Sequence, residues 1–309
     1  MPFRCAAASL GRNEPVLGTA STVRAFLLVE HAGSWGTEAL VDSRLPEEVK
    51  ADLRDRSATT GVRTLLIRRH RRTPTGEGLR VFAAYADPAA PWLETTTVPD
   101  HDALRGLDLA ALGSGRSPGM TRTSEPVFCV CTHGRHDACC AEQGRPTAAA
   151  LAAAHPEHTW EVSHIGGDRF AANVLVLPDG LYYGRVGVDD AARLGHTHRS
   201  GHLDLDRLRG RSGFGFAVQV AEVAVRREVG ETRTDAVRLV SARGAASDIS
   251  VVLAVAGTPY EVRVRRTETA ARQQLTCRAL RENRAPVWEV EAVRPLGPGG
   301  IVSKGNDLG

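Results

Sequence analysis

The amino-acid sequence predicts a mixed α/β protein. Short apolar runs of strand length alternate with helical stretches, and one order of elements, β-α-β-β-β-α, occurs twice along the chain. The 309 residues are 42% hydrophobic and 24% charged, which is typical of globular proteins, and this length allows about two domains.

The first predicted unit spans residues 21–112 and contains no cysteine. Its apolar runs and helical stretch predict, in chain order, a strand at Ala25–Glu30, a helix at Pro46–Arg56, strands at Val62–Ile67, Leu79–Ala84 and Trp92–Val98, and a helix near His101–Leu107.

The second predicted unit spans residues 122–210 and follows a linker rich in Gly, Ser and Pro at Gly113–Gly119. Its predicted elements are a strand at Pro126–Cys131, a helix at Pro146–Ala154, strands at Thr159–Ser163, Asn173–Leu177 and Leu181–Val186, and a helix at Asp189–Leu194. The repeated order suggests an internal duplication, in which the first copy has lost its cysteines and serves as a scaffold. A chance agreement between two α/β units is the alternative.

Residues 213–295 predict an accessory module of one helix and a β-meander. Its predicted elements are an amphipathic helix at Ala217–Arg227 and strands at Val237–Val240, Ile249–Ala254, Tyr260–Arg265, Gln274–Arg278 and Trp288–Glu291. Residues 1–20 and 296–309 are rich in Gly, Pro and Asn without periodicity, and we expect them to lie outside the fold.

Charge and terminal sequence bear on location and partners. Lys and Arg number 39 against 36 Asp and Glu, and this balance argues against a nucleic-acid-binding or basic membrane-binding face. The N-terminus lacks the apolar segment of a signal peptide, and no apolar run is long enough to span a bilayer. We therefore expect a cytoplasmic protein, in which clustered cysteines indicate metal binding or redox chemistry.

Four of the six cysteines fall within twelve positions, and they are Cys129, Cys131, Cys139 and Cys140. Thiolates are preferred ligands of Fe–S clusters, Zn²⁺ and Cu⁺. Eight residues separate Cys131 from Cys140, too many for a simple zinc knuckle. The segment between the predicted strand and helix is long enough for a loop that wraps a cluster.

A second motif follows the next strand, where three residues separate His164 from Asp168. Gly166 and Gly167 between them allow the backbone to fold tightly around a bound group. Mixed ligation by sulfur and nitrogen is chemically reasonable, because imidazole replaces thiolate on one iron of Rieske centres.

Three segments together resemble the sucrase/ferredoxin-like family: Cys131–Gly134 with Cys140, Ser163–Gly167, and Asn173–Arg185. The resemblance is most specific over about residues 122–210. It implies a thioredoxin-like ferredoxin domain with one [2Fe-2S] cluster, held by a Cys-x₈-Cys and a His-x₃-His pair. Cys131, Cys140 and His164 match that pattern.

The fourth ligand position departs from the family pattern, because Asp168 stands where the second histidine is expected. Carboxylate is a harder ligand than imidazole and is unusual on a [2Fe-2S] iron. Either Asp168 binds the cluster, or Cys139 or another donor replaces it, or the cluster is lost. Position favours Asp168.

The remaining candidates have simpler interpretations. We expect Cys129 to be a small buried apolar residue, Cys139 to lie beside the ligands without binding, and His133 and His136 to cap the loop or face solvent. Cys5 and Cys277 have no partner nearby in sequence and are expected to be inert.

The leading hypothesis is a one-electron carrier, rather than an enzyme, that acts with a redox partner protein the sequence does not identify. A metal-free thiol oxidoreductase that uses Cys131, Cys139 or Cys140 is one alternative, although the chain lacks a Cys-x-x-Cys pair. A zinc-binding scaffold is the other, with Zn²⁺ held by Cys131, His133 or His136, Cys140 and His164.

Overall fold

The computed structural model describes residues 2–70, 78–245 and 247–297. It has the predicted mixed α/β fold, with one ten-stranded sheet and one four-stranded sheet. Within these ranges no helix has the length and apolar character needed to cross a membrane.

The N-terminal half of the large sheet contains five strands and their helices. The strands are β1 (Ala25–Glu30), β2 (Arg63–Arg68), β3 (Leu79–Tyr85), β4 (Trp92–Val98) and β5 (Thr121–Thr123). The helices are α2 (Ala39–Asp42), α3 (Glu47–Thr60) and α4 (Leu109–Gly113), and a 3₁₀ turn at Asp102–Gly106 replaces most of the helix predicted near His101.

The C-terminal half of this sheet carries the cysteine-rich segment. Its strands are β6 (Val127–Cys131), β7 (Thr159–Val162), β8 (Val174–Leu177), β9 (Leu181–Tyr183) and β10 (Leu208–Arg211). Its helices are α5 (Ala138–Ala154) and α6 (Val188–Arg199), with a 3₁₀ turn at Asp168–Phe170.

Both halves repeat one strand arrangement. In the first half the spatial order is β2-β1-β3-β4, and in the second it is β7-β6-β8-β9. The first pair of each set is parallel and the other pairs are antiparallel. The halves join where β2 pairs with β7 in antiparallel register, so equivalent strands meet about a local two-fold relation. This arrangement is what the duplication hypothesis expects.

The core lies on both faces of the sheet. One apolar cluster combines residues of both halves, and Phe82 packs edge-on against Trp160 across it, with ring centroids 5.6 Å apart. On the opposite face, α3 and α4 cover the first half, and α5 and α6 cover the second. Alternate residues of β6 therefore face different cores, and Cys129 lies fully buried in the shared one.

The C-terminal module is the predicted helix and meander. Helix α7 (Phe216–Val229) packs against an antiparallel sheet of β11 (Val237–Ala245), β12 (Asp248–Val255), β13 (Thr258–Glu268) and β14 (Pro286–Pro295). The strand predicted at Gln274–Arg278 is wrong, because these residues lie in the loop between β13 and β14. Cys277 there contacts other cysteines rather than a neighbouring strand.

The N-terminal segment is part of the fold, although the sequence analysis expects both termini to lie outside it. Helix α1 occupies Cys5–Gly11, and Cys5 and Ser9 on it are fully buried, so the exclusion of the first 20 residues is wrong. Apolar residues of α1 contact the start of α5, which explains why this segment is ordered against the domain. Most of the predicted C-terminal tail, residues 298–309, lies outside the described residues.

A buried histidine after β1 gives the fold an acid-sensitive position. Burial, then the nearby His101 and Arg68, lower the pKa of His31 to about 4. The unfolded chain has an ordinary His pKa of about 6.5 and so binds more protons than the folded state between these values. The stability that His31 contributes is therefore complete above pH 6.5 and is lost as the pH falls towards 4.

We predict that His31→Phe loses less stability than wild type between pH 7 and pH 4.5. The phenyl ring keeps the edge-on contact with His101 and removes the titrating group, so the difference is expected to be on the order of 2 kcal/mol. Denaturant unfolding of both proteins at the two pH values measures it. Equal losses in the two proteins would contradict the assignment.

Candidate metal centre

Helix α5 begins eight residues earlier than the sequence analysis predicts, at Ala138 rather than Pro146. Asp137 caps it, because its Oδ1 accepts a hydrogen bond of 2.9 Å from the backbone N–H of Cys139. Cys139 and Cys140 thus lie in the first helical turn, and the predicted long loop is wrong. The positive end of the helix dipole at this turn favours thiolate.

A close approach between α5 and β6 brings the first two candidate ligands together. Gly144 of α5 lies directly over the carbonyl of Cys131, and a Cβ on Gly144 would overlap that oxygen. This contact places Cys140 beside Cys131, and each of the two side chains is only 1% exposed. The thiols are held by packed backbone rather than by flexible loops.

The other two candidates, His164 and Asp168, lie on the loop after β7. Arg209, which is 1% exposed, donates hydrogen bonds to the carbonyl of Gly166 (3.0 Å) and to Oδ1 of Asn173 (2.8 Å). Asn173 in turn donates to the carbonyl of Gly167 at 2.8 Å. Gly167 has a φ of +80° and no room for a Cβ against the guanidinium of Arg209. This network fixes the loop that carries both ligands.

The structure brings all four sequence-predicted residues to one place. The ligand atoms of Cys131, Cys140 and His164 lie within 4.8 Å of one another. Asp168 joins them, because its Oδ1 lies 2.9 Å from Nδ1 of His164 and accepts a hydrogen bond of 3.2 Å from Sγ of Cys140.

The four candidate ligands shift one another's pKa values. A hydrogen bond from Cys140, with further help from His164, holds the pKa of Cys131 well below its usual value, whereas the same bond and burial raise the pKa of Cys140. Burial lowers the pKa of His164, but Asp168 and Cys131 outweigh it and raise the pKa to about 9. These shifts favour a negative charge on Cys131 and a positive charge on His164, beside the carboxylate of Asp168.

The donor set fits a metal centre. Two buried sulfur ligands stand with one imidazole and one carboxylate, and thiolate and imidazole are the donors that iron–sulfur clusters and Zn²⁺ use. Nδ1 of His164 is buried and lies 2.9 Å from the carboxylate of Asp168. An imidazole and a carboxylate beside two buried thiols form a site that can bind a metal.

Two more histidines contact the site from the turn after β6. His133 accepts a hydrogen bond of 3.1 Å from the backbone N–H of His164, and its Nε2 donates to the carbonyl of Gly36 at 2.9 Å. The sequence analysis expects His133 either to cap the loop or to face solvent, and these hydrogen bonds show that it caps the loop. His136 instead stacks on His164, with ring centroids 3.7 Å apart, and neither solvent nor capping describes this contact.

His136 is a candidate ligand that the sequence analysis named only for the zinc-binding alternative, not for the [2Fe-2S] cluster. Its ring nitrogen, that of His164 and an oxygen of Asp168 lie within 4.8 Å of one another. The available signal was its position five residues after Cys131, in the same segment as the candidate ligands.

The N-terminal half of the sheet completes the surroundings of the site. His136 lies 3.2 Å from the carbonyl of Thr37, and Arg63 of β2 donates a hydrogen bond of 3.0 Å to the carbonyl of His164. The candidate metal centre thus lies at the junction of the two halves, and the half without ligands holds the histidines in place.

The other cysteines divide into two groups. Cys129 is a buried apolar residue, as predicted. Cys139 lies next to Cys140 in sequence, and its sulfur lies 3.4 Å from that of Cys277. Cys277 also lies 3.5 Å from Sγ of Cys5. Cys5 and Cys277 have no partner nearby in sequence, but the fold brings their side chains into contact across 272 positions of sequence.

We predict that Gly144→Ala separates Cys131 from Cys140. The added methyl group forces α5 away from β6, with an expected loss of about 1–3 kcal/mol in the free energy of unfolding and a lower metal content. Denaturant unfolding and metal analysis of the purified chain measure both effects. Gly106→Ala is the matched control, because no atom lies near its added Cβ. A Gly144→Ala protein with wild-type stability and metal content would refute the packing argument.

Comparison with known proteins gives one family match. The search of curated proteins and the search of solved structures find no similar protein. The profile of the sucrase/ferredoxin-like family matches residues 16–210, which is more than half of the chain and includes both halves of the large sheet. The chain belongs to the sucrase/ferredoxin-like family.

Proposed function

We propose that the protein is a cytoplasmic electron carrier that binds one [2Fe-2S] cluster through Cys131, Cys140, His164 and Asp168. The observation that carries this proposal is the convergence of two buried thiols with an imidazole and a carboxylate at the end of β6 and the loop after β7. Family membership supports it, since the matched residues 16–210 include all four candidate ligands.

The two cysteines suit iron, because the pKa of Cys131 is lowered and Cys140 lies in the first turn of a helix. Cys131 is the more acidic thiol, and the helix dipole at the start of α5 favours a negative sulfur on Cys140 once its proton leaves. Thiolates are the ligands that hold iron–sulfur clusters in proteins. Burial of both side chains protects the sulfur atoms from oxidants in solution.

Among the four proposed ligands, His164 has the most solvent-exposed side chain. Its side chain is 26% exposed, whereas that of Asp168 is 5% exposed and both thiols are buried. A bound cluster would supply a one-electron couple, whose potential depends on ligand type, hydrogen bonds and exposure. The imidazole is the group through which the site reaches solvent, and we propose that a redox partner protein docks over it and over His136.

The sequence analysis leaves Asp168, Cys139 or another donor as the fourth ligand, and the contacts in the structure favour Asp168. Cys139, the main alternative, contacts Cys277 and lies on the other side of the helix start. Asp168 contacts both Cys140 and His164. A carboxylate here keeps a negative charge beside the iron, which would lower the reduction potential relative to a second histidine.

A zinc-binding scaffold is the second candidate. The ligand atoms of Cys131, Cys140 and His164 are close enough to share one ion, and two sulfurs, one nitrogen and one oxygen make a tetrahedral set. A metal-free thiol oxidoreductase is disfavoured, because Cys131, Cys139 and Cys140 are at most 2% exposed and a disulfide substrate cannot reach them.

We predict that Cys131→Ser or Cys140→Ser reduces bound iron nearly to zero, because each change removes a sulfur ligand from a buried site. Cys129→Ala is the matched control, since its sulfur does not belong to this group, and it should retain the iron of wild type. Iron is measured per chain after anaerobic purification. Full iron content in either ligand variant would exclude the proposed ligation.

We predict that Asp168→Ala binds several-fold less iron than wild type, whereas Asp168→His retains iron with a changed visible spectrum and a higher reduction potential. The histidine restores the nitrogen donor that the family pattern has at this position. Asp189→Ala, an exposed carboxylate at the start of α6, is the control. If Asp168→Ala has the iron content, spectrum and potential of wild type, Asp168 is not a ligand.

A further inference from the structure

A second group of cysteines lies on the other side of the α5 start. Cys5 is the first residue of α1, Cys139 lies in the first turn of α5, and Cys277 lies in the loop between β13 and β14. Their sulfur atoms and an oxygen of Asp137 all lie within 4.8 Å of one another. None of these residues belongs to the set proposed for the [2Fe-2S] cluster.

The distances within this group are those of a compact set of ligands. Sγ of Cys277 lies 3.4 Å from Sγ of Cys139 and 3.5 Å from Sγ of Cys5. Sγ of Cys5 lies 3.6 Å from each carboxylate oxygen of Asp137. For a tetrahedral zinc ion with Zn–S bonds of about 2.3 Å, neighbouring sulfurs stand about 3.8 Å apart. An outward shift of a few tenths of an ångström would open the group to that spacing.

Burial and backbone contacts hold the group in place. Cys5 and Cys139 are at most 2% exposed and Asp137 is 1% exposed, while Cys277 is only partly buried. The backbone N–H of Cys277 donates a hydrogen bond of 2.7 Å to Oδ2 of Asp137, and that of Cys139 donates to Oδ1. Arg4 precedes Cys5 and Arg278 follows Cys277 in sequence. Arg4 forms an ion pair with Glu142, and Arg278 donates a hydrogen bond of 3.0 Å to the carbonyl of Arg135.

We propose that Cys5, Cys139 and Cys277 bind a structural zinc ion, with a carboxylate oxygen of Asp137 as the fourth ligand. A disulfide would use two of the thiols and leave the third unpaired next to a buried carboxylate. Three thiolates and one oxygen around Zn²⁺ use all four groups and leave no open position, which is typical of a structural site.

The consequence of this site is a cross-link between distant parts of the chain. The ion joins the N-terminal helix and the C-terminal module to the first turn of α5. Cys140, a proposed ligand of the [2Fe-2S] cluster, follows Cys139 in that turn. Zinc would thus hold rigid the helix end from which the cluster is bound, without taking part in electron transfer.

The test is zinc and iron analysis of the full-length chain, purified anaerobically without chelator, in four forms: wild type, Cys5→Ser, Cys277→Ser and Cys129→Ala. We expect about one zinc per chain in wild type and Cys129→Ala, and a fall of about tenfold or more in the other two. Iron is measured in the same samples, so a failure of the cluster proposal is seen separately from a failure of this one.

A second measurement uses wild type alone, in case a serine variant does not fold. Alkylation of the partly exposed Cys277 by iodoacetamide, followed by mass spectrometry, should be slow in the zinc-loaded protein and about tenfold faster after a chelator removes the ion. A chain that takes up no added Zn²⁺, zinc content that is equal in all four proteins, or a Cys139–Cys277 disulfide in the fresh protein would each overturn the proposal.

Discussion

The close contact between helix α5 and the last residue of β6 determines both cysteine clusters. Gly144 lies against the carbonyl of Cys131, and this contact fixes where the first turn of α5 stands. Asp137 begins that turn, so two adjacent cysteines leave the helix in different directions. Cys140 turns towards Cys131 and Asp168, and Cys139 turns towards Cys5 and Cys277. One helix end thus divides the local sulfur ligands between two sites.

The half of the large sheet that lacks ligands is needed for the geometry of the half that has them. The β2–β7 pairing brings the loop at Gly36 and Thr37 against His133 and His136, and it places Arg63 beside the carbonyl of His164. Buried Arg209 holds the loop that carries His164, through a hydrogen bond to the carbonyl of Gly166. Burying its guanidinium costs free energy, because the group leaves water. The imidazole of His164 is therefore oriented by contacts from both halves, which is what a ligand with a defined geometry requires.

The sequence predicted the strands and the principal site better than it predicted helix ends and distant contacts. Most strands of the two predicted units contain an apolar run, so local pattern was sufficient for them. The edge strands β5 and β10 were missed because their sequences, TRT and LRGR, have no such run. The early start of α5 was missed because Pro146 and Gly144, which weaken helices elsewhere, both lie inside it. The capping position of Asp137 was a local signal that would have found that start.

The second cysteine cluster had no such signal. Cys5 and Cys277 come from opposite ends of the chain, and only the packing of α1 and of the β13–β14 loop on α5 brings them together. Asp168 was predicted from its spacing to His164, but its contact with Cys140 depends on the tertiary arrangement of two loops. Local spacing identifies ligands on one segment, whereas a site assembled from three segments needs the fold.

The most direct test of the account is the visible absorption spectrum of the anaerobically purified protein, with iron and acid-labile sulfide determined on the same sample. The account predicts a red-brown protein with about two irons and two sulfides per chain. A colourless protein that remains free of iron after anaerobic reconstitution would contradict it.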